Sequence, residues 1–130
     1  MTADGVILWV HLIGASVWVG GLITVGALVP ALRSAGADRS QLQAMARQFG
    51  RVSWIAMTVA VLTGVMQVSR LAYEWSDEPI MRKVGLVVLA IGLAAAHQLT
   101  ARRSSAAVRG ALQGVILLLS LGILAAAVAL

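Results

Sequence analysis

Residues 6–30 read VILWVHLIGASVWVGGLITVGALVP, an apolar run that contains one titratable side chain, His11. The run is long enough to cross a bilayer, which takes roughly 20 apolar residues. An imidazole is costly to place in hydrocarbon, so a histidine inside such a run is by default a functional candidate. The alternative interpretation is that His11 only forms a hydrogen bond with a neighbouring helix.

Composition places the whole chain in the same class. Of its 130 residues, 60% are hydrophobic and only 12% are charged, and the mean hydropathy is +0.92. A soluble domain of this size could not bury so much apolar surface, so we expect an integral membrane protein. The basic residues that give the net charge of +5 cluster between the apolar runs, so they indicate membrane topology and not a nucleic-acid surface. The absence of cysteine excludes disulfides, thiolate metal sites and iron–sulfur clusters.

Three further apolar runs follow the first. The four predicted membrane segments are approximately residues 6–30, 52–72, 81–101 and 107–130. Backbone polar groups must be satisfied within lipid, so all four segments are predicted to be helices. We therefore expect an all-α, four-helix membrane bundle that forms a single domain over residues 1–130. No basic region precedes the first run, so we expect no cleavable signal peptide.

The connectors predict the orientation of the chain. The first and third connectors hold seven basic residues and the second holds three: Arg33, Arg39, Arg47, Arg51, Arg102, Arg103 and Arg109 against Arg70, Arg82 and Lys83. The positive-inside rule then predicts a cytoplasmic first and third connector, with both termini outside. Abundant arginine and alanine suggest a bacterial genome, hence a multi-pass protein of the bacterial inner membrane. Asp38 is expected to cap a helical turn that begins the second segment early, because Leu42, Met45 and Phe49 recur at helical spacing.

The depth of each polar side chain limits which residues can share a site. With a rise of about 1.5 Å per residue, His11 lies roughly 7–8 Å below the outer boundary, near the depth of Met66 and Gln67. By the same rise, Lys83 lies about 3 Å below that boundary and His97 roughly 24 Å below it. The two histidines are therefore not expected to ligate one metal within a monomer. The position of His97 fits the opposite interface, and its role is left open.

Small residues accompany the polar ones. His11 shares a face of the first helix with Gly14 and Trp18, and Lys83 begins a mostly small-sided face on the third helix. Such faces either line a cleft for a flat cofactor or allow tight helix packing, and both alternatives remain open. Trp18, about 18 Å deep, packs either inside the bundle or against a ligand. Lys83 either faces the site or extends to the headgroups.

Other polar and small residues predict helix contacts. The patterns Gly110-x-x-x-Gly114 and Ala90-x-x-x-Ala94 allow close backbone approach. Four side chains are expected to form hydrogen bonds between helices, namely Thr58, Thr63, Gln113 and Ser120.

These residues resemble a known family. The pattern His11-x6-Trp18-x-Gly20-Gly21 and the stretch 29–33, VPALR, look like the opening of the copper-resistance D (CopD) membrane domain. The lysine-led third helix fits the same pattern. This resemblance implies a membrane protein of copper uptake or resistance. A site of that kind would use His11, Met66 and Met81, although copper(I) prefers thiolate or thioether ligands and the methionines form no ladder.

A more distant likeness is to HemJ-type protoporphyrinogen oxidases, which share a first-helix histidine, a nearby tryptophan and glycine, and a later lysine. That resemblance implies a b-type heme held through His11, with Lys83 implicated. The extended Pro-Arg-Leu stretch and the further histidine that such oxidases are expected to have after the first helix are missing, since the next histidine in this chain is His97 in the third segment. This difference argues against protoporphyrinogen oxidase activity but not against heme binding.

Three functions follow as hypotheses. The favoured one is a b-type heme in the outer half of the bilayer, for electron transfer with a quinol or an extracytoplasmic protein. His11 would bind it, with Lys83, Gln67 or no residue as the second ligand, and Gly14 and Trp18 would lie beside it. The alternatives are copper handling and a non-catalytic membrane subunit. A homodimer, which would bring two His11 side chains together, and any enzymatic reaction are left open.

Overall fold

A computed structural model describes residues 1–70 and 74–128, and within these ranges the chain forms four helices and no strand. The helices are α1 (Ala3–Ser34), α2 (Arg39–Arg70), α3 (Glu78–Thr100) and α4 (Ala106–Val128). Each helix is long and apolar enough to cross a membrane. The expected all-α class is thereby confirmed for the described part of the chain.

The first two helices are longer than the predicted segments. α1 continues past Pro30 to Ser34, and α2 begins at Arg39, directly after the predicted cap at Asp38 and well before the apolar segment that starts near residue 52. Most of the predicted first connector is therefore helical. The difference arises because hydropathy marks the stretch that suits hydrocarbon, whereas a helix ends where its caps lie. The predicted ends of the second and fourth segments, residues 71–72 and 129–130, lie outside the described residues.

A four-residue turn joins α1 to α2. Gly36 has φ +87°, and the backbone N–H groups of Gly36 and Ala37 donate to the carbonyls of Arg33 and Leu32 at 3.1 and 3.0 Å. These paired bonds form a Schellman motif, in which glycine is favoured because the left-handed conformation carries no Cβ penalty. The sequence Ala-Gly-Ala at 35–37 thus ends α1 sharply.

The start of α2 immediately follows that turn. The Gln41 N–H donates to Asp38 Oδ1 at 2.9 Å, and the Asp38 N–H donates to Gln41 Oε1 at 3.0 Å. This reciprocal pair is a capping box, which satisfies two backbone donors that the helix itself leaves unpaired. The predicted cap at Asp38 is confirmed.

The chain divides into two compact units, residues 1–72 and 73–130. In the first unit, α1 packs against α2 as a helical hairpin. Its buried core includes three large side chains that are only 4–5% exposed, those of Trp18, Leu22 and Met57. We call this unit the first hairpin.

In the second unit, α3 packs against α4, and we call it the second hairpin. Ala90, Ile116 and Ser120 are its most buried described residues, at 0–2% exposed. A Cβ added to Gly110 or Gly114 would meet nothing within 4 Å. Within the second hairpin, the described residues therefore show no close approach at these two glycines, and an approach to another helix stays a prediction. The association of the two hairpins into one bundle stays a prediction.

Candidate functional site

His11 extends from α1 onto the surface of α2. Its Nδ1 lies 2.8 Å from the carbonyl oxygen of Ala60 and 3.2 Å from Thr63 Oγ1. A carbonyl can only accept, so Nδ1 carries the proton and donates it to Ala60. In the neutral ring, the lone pair is then on Nε2. The bond to Ala60 thus sets both the orientation and the tautomer of the imidazole.

Thr63 completes this arrangement. Its hydroxyl donates to the Val59 carbonyl at 2.6 Å, which leaves its oxygen lone pairs as acceptors for His11 Nδ1–H. Thr63 is 9% exposed and joins the two helices, so the predicted interhelical role of this residue is confirmed. The Thr58 and Ser120 hydroxyls instead donate to carbonyls within their own helices. For Gln113 the interhelical role stays a prediction.

Glycines give the two helices room to meet around His11. A Cβ on Gly64 would lie 3.3 Å from His11 Cε1, so the absence of a side chain there accommodates the imidazole edge. A Cβ on Gly14 would lie only 2.9 Å from the Ala56 carbonyl oxygen and 3.1 Å from the Ala60 backbone nitrogen. The small residues near His11 were expected either to line a cleft for a flat cofactor or to allow tight helix packing. At Gly14 the structure shows tight packing.

The sequence also carries a signal for this surface that the motifs described above do not include. Ala56, Ala60 and Gly64 recur at every fourth position and form a small-residue face of α2. Ala60 accepts the hydrogen bond from the imidazole, and Gly64 leaves space for the edge of the ring. Reading α2 for small residues at this spacing would have found the surface on which His11 lies.

Two predicted partners on α2 differ in position. Gln67 lies one turn beyond Thr63 on the same face, and its Nε2 donates to the Thr63 carbonyl at 3.3 Å. Met66 is 45% exposed. At 100° per residue it lies about 110° away from the middle of the face formed by Ala60, Thr63 and Gly64. Gln67 is therefore better placed than Met66 to take part in a site with His11.

The remaining predicted residues lie on α3 of the second hairpin. Lys83 is half-buried and Met81 is 59% exposed. Their pairing with His11 stays a prediction. Nδ1 of His97, near the other end of α3, is buried and has no hydrogen-bond partner among the described residues.

An ion pair closes the end of the first hairpin that lies nearest His11. Arg70 Nε lies 2.6 Å from Asp4 Oδ1, and both side chains are about half exposed. The pair links the first turn of α1 to the last described residue of α2.

Trp18 lies two turns beyond His11 along the same face of α1 and is 5% exposed.

The described residues around His11 offer few metal ligands of the histidine, cysteine or carboxylate type. Within residues 1–70 and 74–128, no three or more His, Cys, Asp or Glu side chains come together as metal ligands. A bare zinc or copper ion needs several protein ligands, whereas a porphyrin supplies four nitrogens and a b-type heme can be held by a single histidine. An imidazole anchored through Nδ1 fits that requirement.

No family model, curated protein or solved structure matches this chain. The resemblances to the CopD domain and to HemJ-type oxidases accordingly stay predictions from the residues that suggested them.

Proposed function

We propose that the first hairpin holds a b-type heme in the outer half of the bilayer, and that Nε2 of His11 would bind it. The observation that carries the proposal is the 2.8 Å bond from His11 Nδ1 to the Ala60 carbonyl. Histidines that ligate metals almost always donate their other ring N–H to a carbonyl or carboxylate, because this bond fixes the tautomer and raises ligand basicity. Bound heme supplies one-electron redox chemistry.

Other residues have supporting roles in this proposal. Gln67, which shares the α2 face that contacts His11, would be the second residue to hold the heme, and Lys83 stays the alternative that the sequence predicts. Gly14, packed against α2, and the buried Trp18 would position the helix that carries His11. The electron partner is a quinol or an extracytoplasmic protein, since a heme at this depth would lie near the outer surface.

Reduced-minus-oxidised absorption spectra of the full chain in mild detergent test the proposal. Wild type is expected to show a b-type band that His11→Ala abolishes. His97→Ala is the matched control, because it removes the only other histidine, and it should leave the band unchanged. A wild type without a band after growth with heme precursor would contradict heme binding. A band that survives His11→Ala would contradict the assignment of the ligand.

The location of this site depends on the proposed topology, in which both termini face outward in a bacterial inner membrane. The chain has no native cysteine, so single cysteines at Ser34 and Ser76, both exposed, report the orientation cleanly. On intact cells, an impermeant thiol reagent should label Ser76→Cys and not Ser34→Cys. The reverse result would move His11 to the cytoplasmic half.

A second candidate function is a non-catalytic membrane subunit in which His11 only joins helices. The observation that favours it is the close packing at Gly14 and Gly64 around the same imidazole. Folded protein without any cofactor would support it. Copper bound by His11, Met66 and Met81 is the remaining alternative, and metal analysis of the purified chain would distinguish it from an assembly role.

A further inference from the structure

A shallow groove lies on the face of α2 that points away from His11. Its volume is about 270 Å³, and its lining residues are Trp54, Ile55, Thr58 and Val59. Ile55 is 66% exposed. The Thr58 hydroxyl donates to the Trp54 carbonyl at 2.8 Å, so its proton is already used within the helix. The groove therefore presents mainly apolar surface.

Two arginines stand directly above this groove along the helix. Arg47 and Arg51 are exposed and one turn apart, and Trp54 follows Arg51 by three residues. At 100° per residue, Arg47, Arg51, Trp54 and Thr58 fall within about 60° of one another around α2. Positive charge and apolar groove thus form one continuous strip.

The charge on this strip is not neutralised within its own helix. α2 contains no Asp or Glu, and among the described residues neither Arg47 nor Arg51 forms an ion pair. Guanidinium groups bind phosphate through paired N–H donors, and two of them one turn apart can contact one phosphodiester. Arg51 also lies just before the apolar part of α2, and tryptophan is favoured at the membrane interface.

We propose that this strip of α2 binds an anionic phospholipid, with its headgroup phosphate at Arg47 and Arg51 and an acyl chain along the groove from Trp54 to Val59. The charge selects an anionic headgroup, and the adjoining apolar groove selects a lipid over a soluble polyanion. A soluble polyanion would contact the arginines but leave Ile55 exposed to water. This site does not depend on the proposed heme.

Trp54 provides a direct probe of the groove. The full chain is reconstituted in phosphatidylcholine vesicles that contain increasing fractions of brominated phosphatidylglycerol or, in parallel, brominated phosphatidylcholine. Bromine quenches tryptophan fluorescence on contact, and subtracting the signal of Trp54→Phe isolates Trp54 from the other three tryptophans. Equal helix content by circular dichroism shows that each variant is folded.

Wild type should be quenched at a several-fold lower fraction of brominated phosphatidylglycerol than of brominated phosphatidylcholine. A basic side chain near an anionic lipid surface contributes about fivefold in binding, so Arg47→Gln/Arg51→Gln should lose most of this preference. The matched control is Arg33→Gln/Arg39→Gln, which removes the same charge away from the groove and should keep the preference.

Three results would overturn the proposal. One is quenching of wild-type Trp54 that does not distinguish the two lipids, and another is an equal loss of preference in both double variants, which would indicate a general charge effect. The third is displacement of phosphatidylglycerol by inorganic phosphate at constant ionic strength, which would assign the arginines to a free anion.

Discussion

Each hairpin consists of two connected antiparallel helices, but the two hairpins differ in how their helices meet. In the first hairpin, His11 donates across to α2, Asp4 pairs with Arg70, and Gly14 brings the two backbones into contact. In the second hairpin, the buried Ser120 hydroxyl donates within its own helix, at 2.7 Å from the Ile116 carbonyl. The first hairpin is therefore joined by polar contacts along its helices and at its open end. In the second, Arg109 of α4 donates at the turn to the carbonyls of Ala101 and Ser104, at 3.2 and 2.6 Å, and the buried core consists of packed side chains.

Within each hairpin, a small-residue motif therefore marks a contact where the opposite helix offers a matching gap. Gly110 and Gly114 form the more conspicuous motif in the sequence, yet a Cβ on either would meet no described atom within 4 Å. The alanine and glycine face of α2 is less conspicuous but lies opposite Gly14. Close approach needs a gap on both helices, since one large side chain on either keeps the backbones apart.

The largest expected effect comes from adding a methyl group at Gly14, which we compare with the same change at Gly114. Gly14→Ala should destabilise the chain by about 1–3 kcal/mol, because its Cβ meets the Ala56 carbonyl at 2.9 Å and backbone cannot move aside cheaply. Gly114→Ala, the matched control, should be neutral or stabilising by about 0.5–1 kcal/mol, because alanine favours a helix more than glycine does. Unfolding in mixed detergent micelles measures both. Equal effects would remove the contrast between the hairpins.

The two histidines offer the next comparison. His11→Ala should lower the free energy of unfolding by about 1 kcal/mol, the usual size of a hydrogen bond between membrane helices. His97→Ala removes a ring whose buried Nδ1 has no partner among the described residues, so it should cost less than His11→Ala. The same micelle unfolding assay, performed without added heme, separates this structural effect from ligand binding. A larger loss for His97→Ala would show that the second hairpin depends on its histidine.

The helix caps give a smaller, pH-dependent effect. Hydrogen bonds from the Ser40 hydroxyl and then from the Gln41 N–H hold the pKa of Asp38 below its ordinary value of 3.8. A carboxyl with a lowered pKa stabilises the fold above the unfolded value and loses that contribution as the pH falls through the folded one. Asp38→Ala should therefore lower the thermal midpoint at pH 7, and its difference from wild type should shrink below pH 3.8.

Asp77→Ala is the matched control in the second hairpin. Asp77 is the N-cap of α3 but makes no side-chain bond to that helix. Its loss should lower the midpoint at pH 7 less than the loss of Asp38 does. Equal changes would mean that the capping box does not distinguish the two helix starts.

Local signals in the sequence predicted much of the fold. Length and apolarity predicted the four helices, and Asp38 with the apolar spacing that follows it predicted the early start of α2. These features depend on residues close together in the chain. Gly36 was not used to place the end of α1, although its left-handed conformation is the reason that α1 and α2 can be joined by four residues.

The candidate site was harder to predict. His11 stood out because it is costly in lipid, but its partners did not, since Ala60 contributes only a carbonyl oxygen that every residue possesses. Gly64 contributes only space. Identifying them required the register of α1 on α2, because the residues that meet are 49–53 positions apart in the sequence. Packing at Gly14 fixes that register, and no local motif reports it.

The smallest effect concerns the two ion pairs. Asp4 and Arg70 join the two helices of the first hairpin at 2.6 Å, whereas Glu78 and Arg82 lie one turn apart on α3 at 2.8 Å. Double-mutant cycles with Asp4→Asn/Arg70→Gln and Glu78→Gln/Arg82→Gln should each give a coupling energy of about 0–1 kcal/mol that falls with added salt, since all four side chains are substantially exposed. Only the first pair joins two helices, at the end of the hairpin opposite the turn. Its cycle should therefore change the unfolding of the hairpin as a whole, whereas the second should affect only the first turns of α3. Coupling in the second cycle as large as in the first would show that crossing between helices adds nothing to an exposed pair.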